Sequence, residues 1–243
     1  MPTSRDSYTD TRSDDDIIVV RIFESLRDRI VHGDLVPGSL INSVEQAQQF
    51  GTSRTPVREA LLILSQHGLV NLSARRRPRV AEVSTQAIRD LYALRIALHH
   101  FIAEAVVENA TDAALDDLLD AAHSLLADFE TTDTAAHLQA VEQYLALEAS
   151  LAGNARVQEV LESMKWRIAW YRRLGGFSRD ALRTAATDRI RVAQAYKDRD
   201  TLLAQALNRS MLRKAVATCE KGFLEIGSPH IHALSLLRMI ERE

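Results

Sequence analysis

The sequence lacks the features that characterise secreted and membrane proteins. Cys219 is the single cysteine among 243 residues, so no disulfide can form within one chain, which suits a reducing compartment. No run of about 20 apolar residues occurs, so no membrane-spanning helix is expected. The first residues are polar and acidic, unlike a signal peptide. We therefore expect a cytoplasmic protein that does not enter a membrane.

Aromatic residues, glycine and proline are also scarce. Aromatics make up 5% of the chain, which has nine glycines and five prolines. Alanine and leucine are abundant, and hydrophobic residues reach 46%, enough for a core. This composition favours long helices over β-sheet. The sequence therefore predicts a mainly α-helical protein with one large or two modest domains.

Negative charge exceeds positive charge, but the two are unevenly distributed. The formal net charge of −3 argues against a general affinity for nucleic acid. Residues 54–79 nevertheless hold six arginines and one acidic residue, Glu59, which leaves the rest of the chain strongly acidic. A basic patch on an acidic protein is typical of a DNA-binding module joined to a larger domain that does not bind DNA.

The first third of the chain predicts a small DNA-binding domain. Residues 1–14 are polar, without an apolar period, and are predicted to be a disordered tail. Three helices and a two-stranded ribbon follow, which is the plan of a winged helix-turn-helix, with its boundaries at residues 15–84. The predicted helices cover 15–32, 43–50 and 54–67, and the strands 69–72 and 79–83 are joined by an arginine-rich tip, 74–78.

The third helix of this domain has two arginines on one face. Ser53 provides a hydroxyl cap, and Pro56 falls in the first turn, where its missing N–H costs nothing. Arg54 and Arg58 are four residues apart and project from the same side. Cations near a helix N-terminus oppose the helix dipole. The arrangement is favourable if an external anion is supplied, and phosphate is the obvious candidate.

Residues 85–243 predict a second domain, an antiparallel bundle of amphipathic helices. Short breaks rich in glycine, aspartate or asparagine separate apolar stripes of helical period. The predicted helices lie near 85–109, 112–130, 134–152, 155–174, 179–198, 200–224 and 230–242.

The residues resemble one bacterial family over nearly the whole chain after the tail. Residues 17–83 resemble the winged-helix domain of GntR-type transcription regulators, and the helical remainder resembles the ligand-sensing domain of the FadR subfamily. The resemblance implies a homodimeric regulator that binds double-stranded DNA. The motifs that carry it are GDLVPG (33–38), SRTPVREAL (53–61) and LSQHGLV (64–70), then DLYALR (90–95) and AGN (152–154).

Carried over by position, the resemblance implies roles for the third helix. Arg54 and Arg58 would read base edges in the major groove, and Ser53 and Thr55 would contact phosphate. The alternative is that both arginines are ordinary solvated charges. A bidentate arginine–guanine contact contributes roughly 1–3 kcal/mol of discrimination, so the two interpretations differ measurably.

The resemblance also implies that the tip of the ribbon, or wing, reaches the minor groove. The family usually has glycine at the position of Arg77, and here Arg77 is followed by Pro78. We therefore expect the wing to contact DNA through side-chain charge, by Arg75, Arg76 and Arg77. A solvated loop without DNA contact is the alternative.

The helical domain departs from its relatives at a metal site. Many relatives bind a divalent metal there through one aspartate and three histidines, a ligand set suited to Zn²⁺ or Ni²⁺. The corresponding positions hold Val141, Leu145, Arg189 and Met211. None of these can replace the missing ligands, so we expect no metal and no other cofactor.

An arginine in place of a histidine ligand suggests a different binding chemistry. A buried arginine requires an anion. We expect Arg95, His99, Tyr144, Arg189 and Met211 to line an effector pocket that holds a small acidic metabolite, such as a carboxylate, without metal.

Two alternatives to this pocket stay open. Arg189 would be structural if it paired with a bundle carboxylate such as Glu142 or Glu148. His99 would belong to a displaced metal site, although the adjacent His100 faces a different side of the helix.

Three classes of function compete. The leading interpretation is a ligand-responsive repressor that binds a palindromic operator as a homodimer. The alternative is an architectural or constitutive DNA-binding protein whose helical domain only dimerises. An enzyme is not expected, because the sequence has no nucleophile–base constellation, phosphate loop or metal motif.

Overall fold

A computed structural model describes residues 14–74, 76–127 and 129–226. Most of the predicted tail and the helix predicted near 230–242 lie outside these residues. The chain divides into two compact units, Met1–Glu82 and Val83–Glu243. The fold is mainly helical, as predicted.

The first unit is a winged helix-turn-helix, which confirms the predicted fold. Its first and third helices pack against each other, and Leu26 and Ile30 of the first and Val57 and Leu64 of the third are completely buried. Two antiparallel strands complete the unit. Its elements are α1 (Asp14–His32), α2 (Ser43–Gln49), α3 (Arg54–Gln66), β1 (Val70–Ser73) and β2 (Arg76–Val80).

The wing differs from its prediction. Its second strand, β2, begins at Arg76, three residues before the predicted start, and ends at Val80. The predicted tip, 74–78, included Pro78, but a proline is tolerated in an edge strand, where the backbone N–H that it lacks is not needed for pairing. Its carbonyl oxygen instead accepts a hydrogen bond from the backbone N–H of Ile41 at 2.9 Å. Arg76 and Arg77 are therefore strand residues with a fixed spacing.

The second unit is a helical bundle. Polar side chains cap several of its helices, for example Ser84, whose hydroxyl accepts from the N–H of Ala87 at 3.0 Å. The helix predicted to reach residue 130 ends at Ala127. The helices are α4 (Thr85–Asn109), α5 (Asp112–Ala127), α6 (Thr134–Leu151), α7 (Ala155–Leu174), α8 (Arg179–Lys197) and α9 (Thr201–Ile226).

The core of this unit lies between two pairs of helices, α4 with α9 and α5 with α8. Ile102, Leu118 and Tyr196 are completely buried in it. Near the end of α7, Gly175 meets Gly222 of α9 so closely that a Cβ on Gly222 would collide with the Gly175 carbonyl. The helices can cross there only without side chains. Within the residues described, no helix has the length and apolar character needed to cross a lipid bilayer.

Candidate DNA-binding and effector sites

The exposed face of α3 carries both predicted arginines. Arg54, Arg58 and Leu62 follow one another at four-residue spacing, and all three are exposed. The opposite face, which includes Val57 and Leu61, is buried against α1. The helix is thus held by its apolar side while the arginine side is free to meet another molecule.

The N-terminus of α3 lacks the internal cap found elsewhere in the chain. Ser53 occupies the N-cap position with extended backbone, but its side chain accepts no capping hydrogen bond. The hydroxyls of Ser84 and Ser178 do accept one, at 3.0 and 3.2 Å. No acidic residue lies in the first turn of α3, and Thr55 is exposed there. This helix end is chemically suited to an external anion.

The wing arginines fall into two groups. Arg79 donates from Nη1 to the carbonyl oxygen of Gly38 at 2.8 Å, so it ties the wing to the turn after α1. Arg76 and Arg77 are exposed on the same strand. Arg75 lies outside the described residues. Two of the three predicted wing arginines are therefore placed where they can contact a ligand.

A cavity in the helical unit collects charged side chains from four helices. It encloses about 170 Å³ and is lined by Arg95 from α4, Arg172 from α7, Arg189 from α8 and Lys214 from α9. Among the described residues that line it, Asp188 is the only one with a carboxylate. The remaining wall is largely apolar and includes Leu138, Val141, Phe177, Leu182, Met211 and Leu212. We call this space the arginine cavity.

The two buried arginines of this cavity are charged at neutral pH, and neither forms an ion pair within 4 Å with a carboxylate of the described residues. Burial, and next the nearby Arg172, lower the pKa of Arg95 and of Arg189 to about 10. Arg189 donates from Nη1 to the Ala185 carbonyl oxygen at 2.9 Å, but its Nε has no partner. Nη1 of Arg95 also has no partner. Buried cations without anions are costly, so the arrangement favours an anionic ligand.

The nearest carboxylates have other partners. Asp188 accepts from Lys214 Nζ at 2.7 Å and lies 3.5 Å from Arg191. Glu148 is buried and accepts from the Tyr196 hydroxyl at 2.7 Å, and its pKa is raised chiefly by burial. In the described part of the chain, no ion pair within 4 Å joins Arg189 to either carboxylate.

The residues predicted from sequence for one pocket are distributed over three places. Arg95, Arg189 and Met211 line the arginine cavity. His99 lies beside Glu148, with Nδ1 3.6 Å from Oε2, and does not line that cavity. Tyr144 lines a second cavity, between α5 and α6. Burial, followed by the fields of nearby arginines including Arg95, lowers the pKa of His99 well below its usual value.

Sequence reasoning did not find Arg172 or Lys214. Arg172 belongs to a basic pair in the last turn of α7, where cations normally compensate the helix dipole. Its position at the end of a helix gave no indication of a cavity. Among the described residues, no group of three or more metal-ligating side chains comes together.

Comparisons with known proteins agree with these two units. The family described as "Bacterial regulatory proteins, gntR family" matches residues 18–80, and the FCD domain matches residues 90–214. The chain therefore belongs to the GntR family, as a transcription regulator with a winged-helix domain and an FCD effector-binding domain. This membership confirms the resemblance found in the sequence.

Individual relatives are distant. The chain is 26% identical over 219 residues to a regulator from Streptomyces ambofaciens named for an unstable DNA locus, covering 87% of this chain and 88% of that one. It is 33% identical over 99 residues to the gluconate operon transcriptional repressor of Bacillus subtilis. That match covers 41% of this chain, and the chain spans only 40 to 43% of two Bacillus subtilis relatives. Escherichia coli McbR/YncC has the same fold, with a TM-score of 0.68 at 20% identity over 85% of this chain and 98% of that one.

Proposed function

We propose that this protein is a ligand-responsive repressor that binds a palindromic operator as a homodimer and is released by a small anion. The observation that carries the proposal is the arginine cavity, in which Arg95 and Arg189 are buried and charged, and in which one nitrogen of each has no partner among the described residues. A domain that only dimerised would gain nothing from two such cations. One relative of the chain is named as a repressor of the gluconate operon, which supports the direction of regulation. A protein with this role acts in the cytoplasm, where the chromosome lies.

In this proposal α3 is the recognition helix. Arg54 and Arg58 read guanine edges in the major groove, because a guanidinium can donate to O6 and N7 together. Ser53 and Thr55 contact a backbone phosphate at the helix N-terminus. Arg76 and Arg77 add wing contacts through their charge, and Arg75 is proposed to do the same. Phosphate contacts position the domain, and base contacts provide the sequence preference.

The effector is proposed to be a carboxylate with a compact apolar body. Arg95, Arg172 and Arg189 provide the charge for the carboxylate, and Leu182 and Met211 are among the apolar residues that meet the body. A cavity of about 150 Å³ accommodates benzene, so the arginine cavity is suited to an acid no larger than a single aromatic ring. No metal is needed to hold such a ligand, because the arginines replace its positive charge.

The homodimer is proposed to form through α4. Leu94, Ala97, Leu98 and Phe101 make an apolar stripe at helical spacing, and 47% of Leu94 and 40% of Phe101 are exposed. A stripe of this kind marks a helix that packs against another surface. The variant Phe101→Asp is expected to shift the protein from dimer to monomer in light scattering. The control Val160→Asp, at an exposed position on α7, should stay dimeric.

The two domains are proposed to be coupled through α4. This helix begins five residues after β2 ends, and it contributes Arg95 to the arginine cavity. An anion that draws α4, α7, α8 and α9 together favours one arrangement of the bundle. It can change DNA affinity only by as much as its affinity differs between the two arrangements.

The test uses an operator selected from random-sequence duplex DNA by the full-length protein. Benzoate is expected to raise the melting temperature and weaken operator binding, whereas benzamide, its uncharged counterpart, should do neither. Acetate, pyruvate and succinate probe the size of the body. Arg189→Ala should abolish the benzoate response, and Arg156→Ala, an exposed arginine on α7, should retain it. If no carboxylate alters melting or operator binding, the helical domain only dimerises and the protein is a constitutive DNA-binding protein.

A further inference from the structure

The helical unit contains a second cavity with a different chemistry. It encloses about 350 Å³, within the range of small-molecule sites. It lies between α5 and α6, and none of the described residues in its lining is an acid, a lysine or an arginine. The lining residues are Ala121, Ser124, Leu125, Thr132, His137, Ala140, Gln143, Tyr144 and Leu147. We call this space the neutral cavity.

Two polar groups of the neutral cavity lack hydrogen-bond partners. Tyr144 is 3% exposed and His137 is 4% exposed, and both lie on α6, seven residues apart. The hydroxyl of Tyr144 and Nε2 of His137 are buried and make no hydrogen bond with any described residue. Leaving a buried polar group unpaired costs roughly 1–3 kcal/mol, so each group is expected to have a partner in the functional state.

Tyr144 does not line the arginine cavity, so the anion proposed there is not expected to be the partner of its hydroxyl. Burial, and next Arg189, lower the pKa of His137, so its ring is neutral and offers no charge to an acid. The cavity lies against a neighbouring face of α6 from Val141, which lines the arginine cavity, and His137 is the one described residue common to both linings. Leu125 and Leu147 give the neutral cavity apolar walls. These walls, with the two unpaired groups, fit an uncharged molecule that has an apolar body and a hydroxyl or carbonyl group.

We propose that the neutral cavity is a second ligand site, which takes an uncharged aromatic or alicyclic alcohol or amide. The Tyr144 hydroxyl hydrogen-bonds the polar group of this ligand, and the body lies between Leu125, Ala140 and Leu147. The site does not require an acid in the arginine cavity, so the proposal stands even if no acid binds there. His137, in the wall between the two spaces, is the residue through which occupancy of one site would reach the other.

The test titrates the full-length protein at pH 7 with 2-naphthol, an uncharged fluorescent alcohol. Saturable binding at one site per chain is expected. Tyr144→Phe keeps the ring and removes only the hydroxyl, so it should weaken 2-naphthol binding by about fivefold and leave naphthalene binding unchanged. Arg172→Met, which changes the arginine cavity alone, should leave 2-naphthol binding unchanged and so separates this site from the proposed acid effector.

A filling variant locates the site independently. Ala140→Trp places an indole in the neutral cavity and should abolish binding of 2-naphthol and naphthalene. Gln139→Trp, the matched control, adds the same indole at an exposed position that lines neither cavity and should bind normally. The proposal is overturned if 2-naphthol does not saturate, if Ala140→Trp binds it normally, or if both tryptophan variants lose it equally. If Ala140→Trp does not fold, the proposal is tested by Tyr144→Phe alone. A Tyr144→Phe variant that binds 2-naphthol as tightly as the unaltered protein would then overturn it.

Discussion

The same side chain has opposite environments in the two units of this protein. On α3, Arg54 and Arg58 are exposed and held away from the core by the apolar face behind them. In the helical unit, Arg95 and Arg189 are buried, and one nitrogen of each lacks a partner. An exposed arginine loses little when no ligand is present, because water solvates it. A buried one destabilises the empty protein, so its charge is informative about a ligand even when no ligand is seen.

The largest expected effect is on stability and ligand binding, and it tests the role of the buried arginines. Arg189→Met removes a buried cation, so the free energy of unfolding of the ligand-free protein should rise by roughly 1–4 kcal/mol. The same change should weaken binding of a carboxylate by about 30-fold or more, because a charge-assisted partner is lost. Chemical denaturation and calorimetric titration with benzoate measure the two effects. A destabilised variant that binds benzoate normally would show that Arg189 is purely structural.

The next effect tests the exposed side. Arg58→Ala should weaken specific operator binding by roughly 10- to 100-fold, as expected for the loss of a bidentate base contact. Its stability should change little, because surface substitutions usually stay within about 0.5 kcal/mol. Quantitative gel-shift assays on the selected operator and on an unrelated duplex measure the difference. Equal losses on both duplexes would mean that Arg58 contacts only phosphate.

A smaller effect concerns pH and belongs to the buried region alone. Because the pKa of His99 is lowered in the folded state, the unfolded chain takes up a proton first as pH falls below about 6.5. Stability from His99 is therefore present above that pH and declines below it. Glu148 has a raised pKa and acts in the opposite direction, gaining stability as it is protonated.

The variant His99→Gln isolates the histidine contribution. Between pH 7 and 5.5 it should lose less stability than the unaltered protein, by up to about 1 kcal/mol. Urea denaturation across this range is the measurement. His123→Gln, which changes an exposed histidine on α5, is the control and should keep the original pH profile. If all three proteins lost stability equally between pH 7 and 5.5, the lowered pKa of His99 in the folded state would be contradicted.

The smallest expected effect is on the salt dependence of DNA binding, and it tests whether the wing contacts phosphate. Arg76→Ala removes a charge that is proposed to contact phosphate, so it should weaken binding to all duplexes similarly. The slope of log affinity against log salt should fall by about one. Measurements at several salt concentrations test this. A change in sequence preference instead would place Arg76 against bases.

The sequence was most informative where chemistry is local. The apolar period of α3, with Ser53 before it and Pro56 in its first turn, predicts that helix and its exposed arginines without reference to the rest of the chain. The wing was misplaced because Pro78 is a loop signal in isolation. Its tolerance in β2 depends on pairing with Ile41, a residue far away in the sequence.

The cavities were beyond such reasoning, because they exist only once the helices have packed. Arg189 was found through its position in a known ligand set, and Arg95 through its helix face. Arg172 had no such signal, since its neighbours indicate only the end of a helix. Tyr144 was assigned to the same pocket as Arg189, but the two line different cavities, because α6 places Tyr144 on the face toward α5. Which face of a helix meets which neighbour is decided by tertiary packing.

The uncapped N-terminus of α3 has a kinetic consequence. A missing side-chain cap costs a helix about 1 kcal/mol, so the first turn of α3 should fray in the free protein. A DNA phosphate at Ser53 would supply the absent hydrogen bonds and stop the fraying. The backbone amide hydrogens of Arg54, Thr55 and Val57 should then exchange rapidly in the free protein and slowly when the protein is bound to an operator. The protein would thus meet DNA with the first turn of its recognition helix still mobile, and complete that turn only on the nucleic acid.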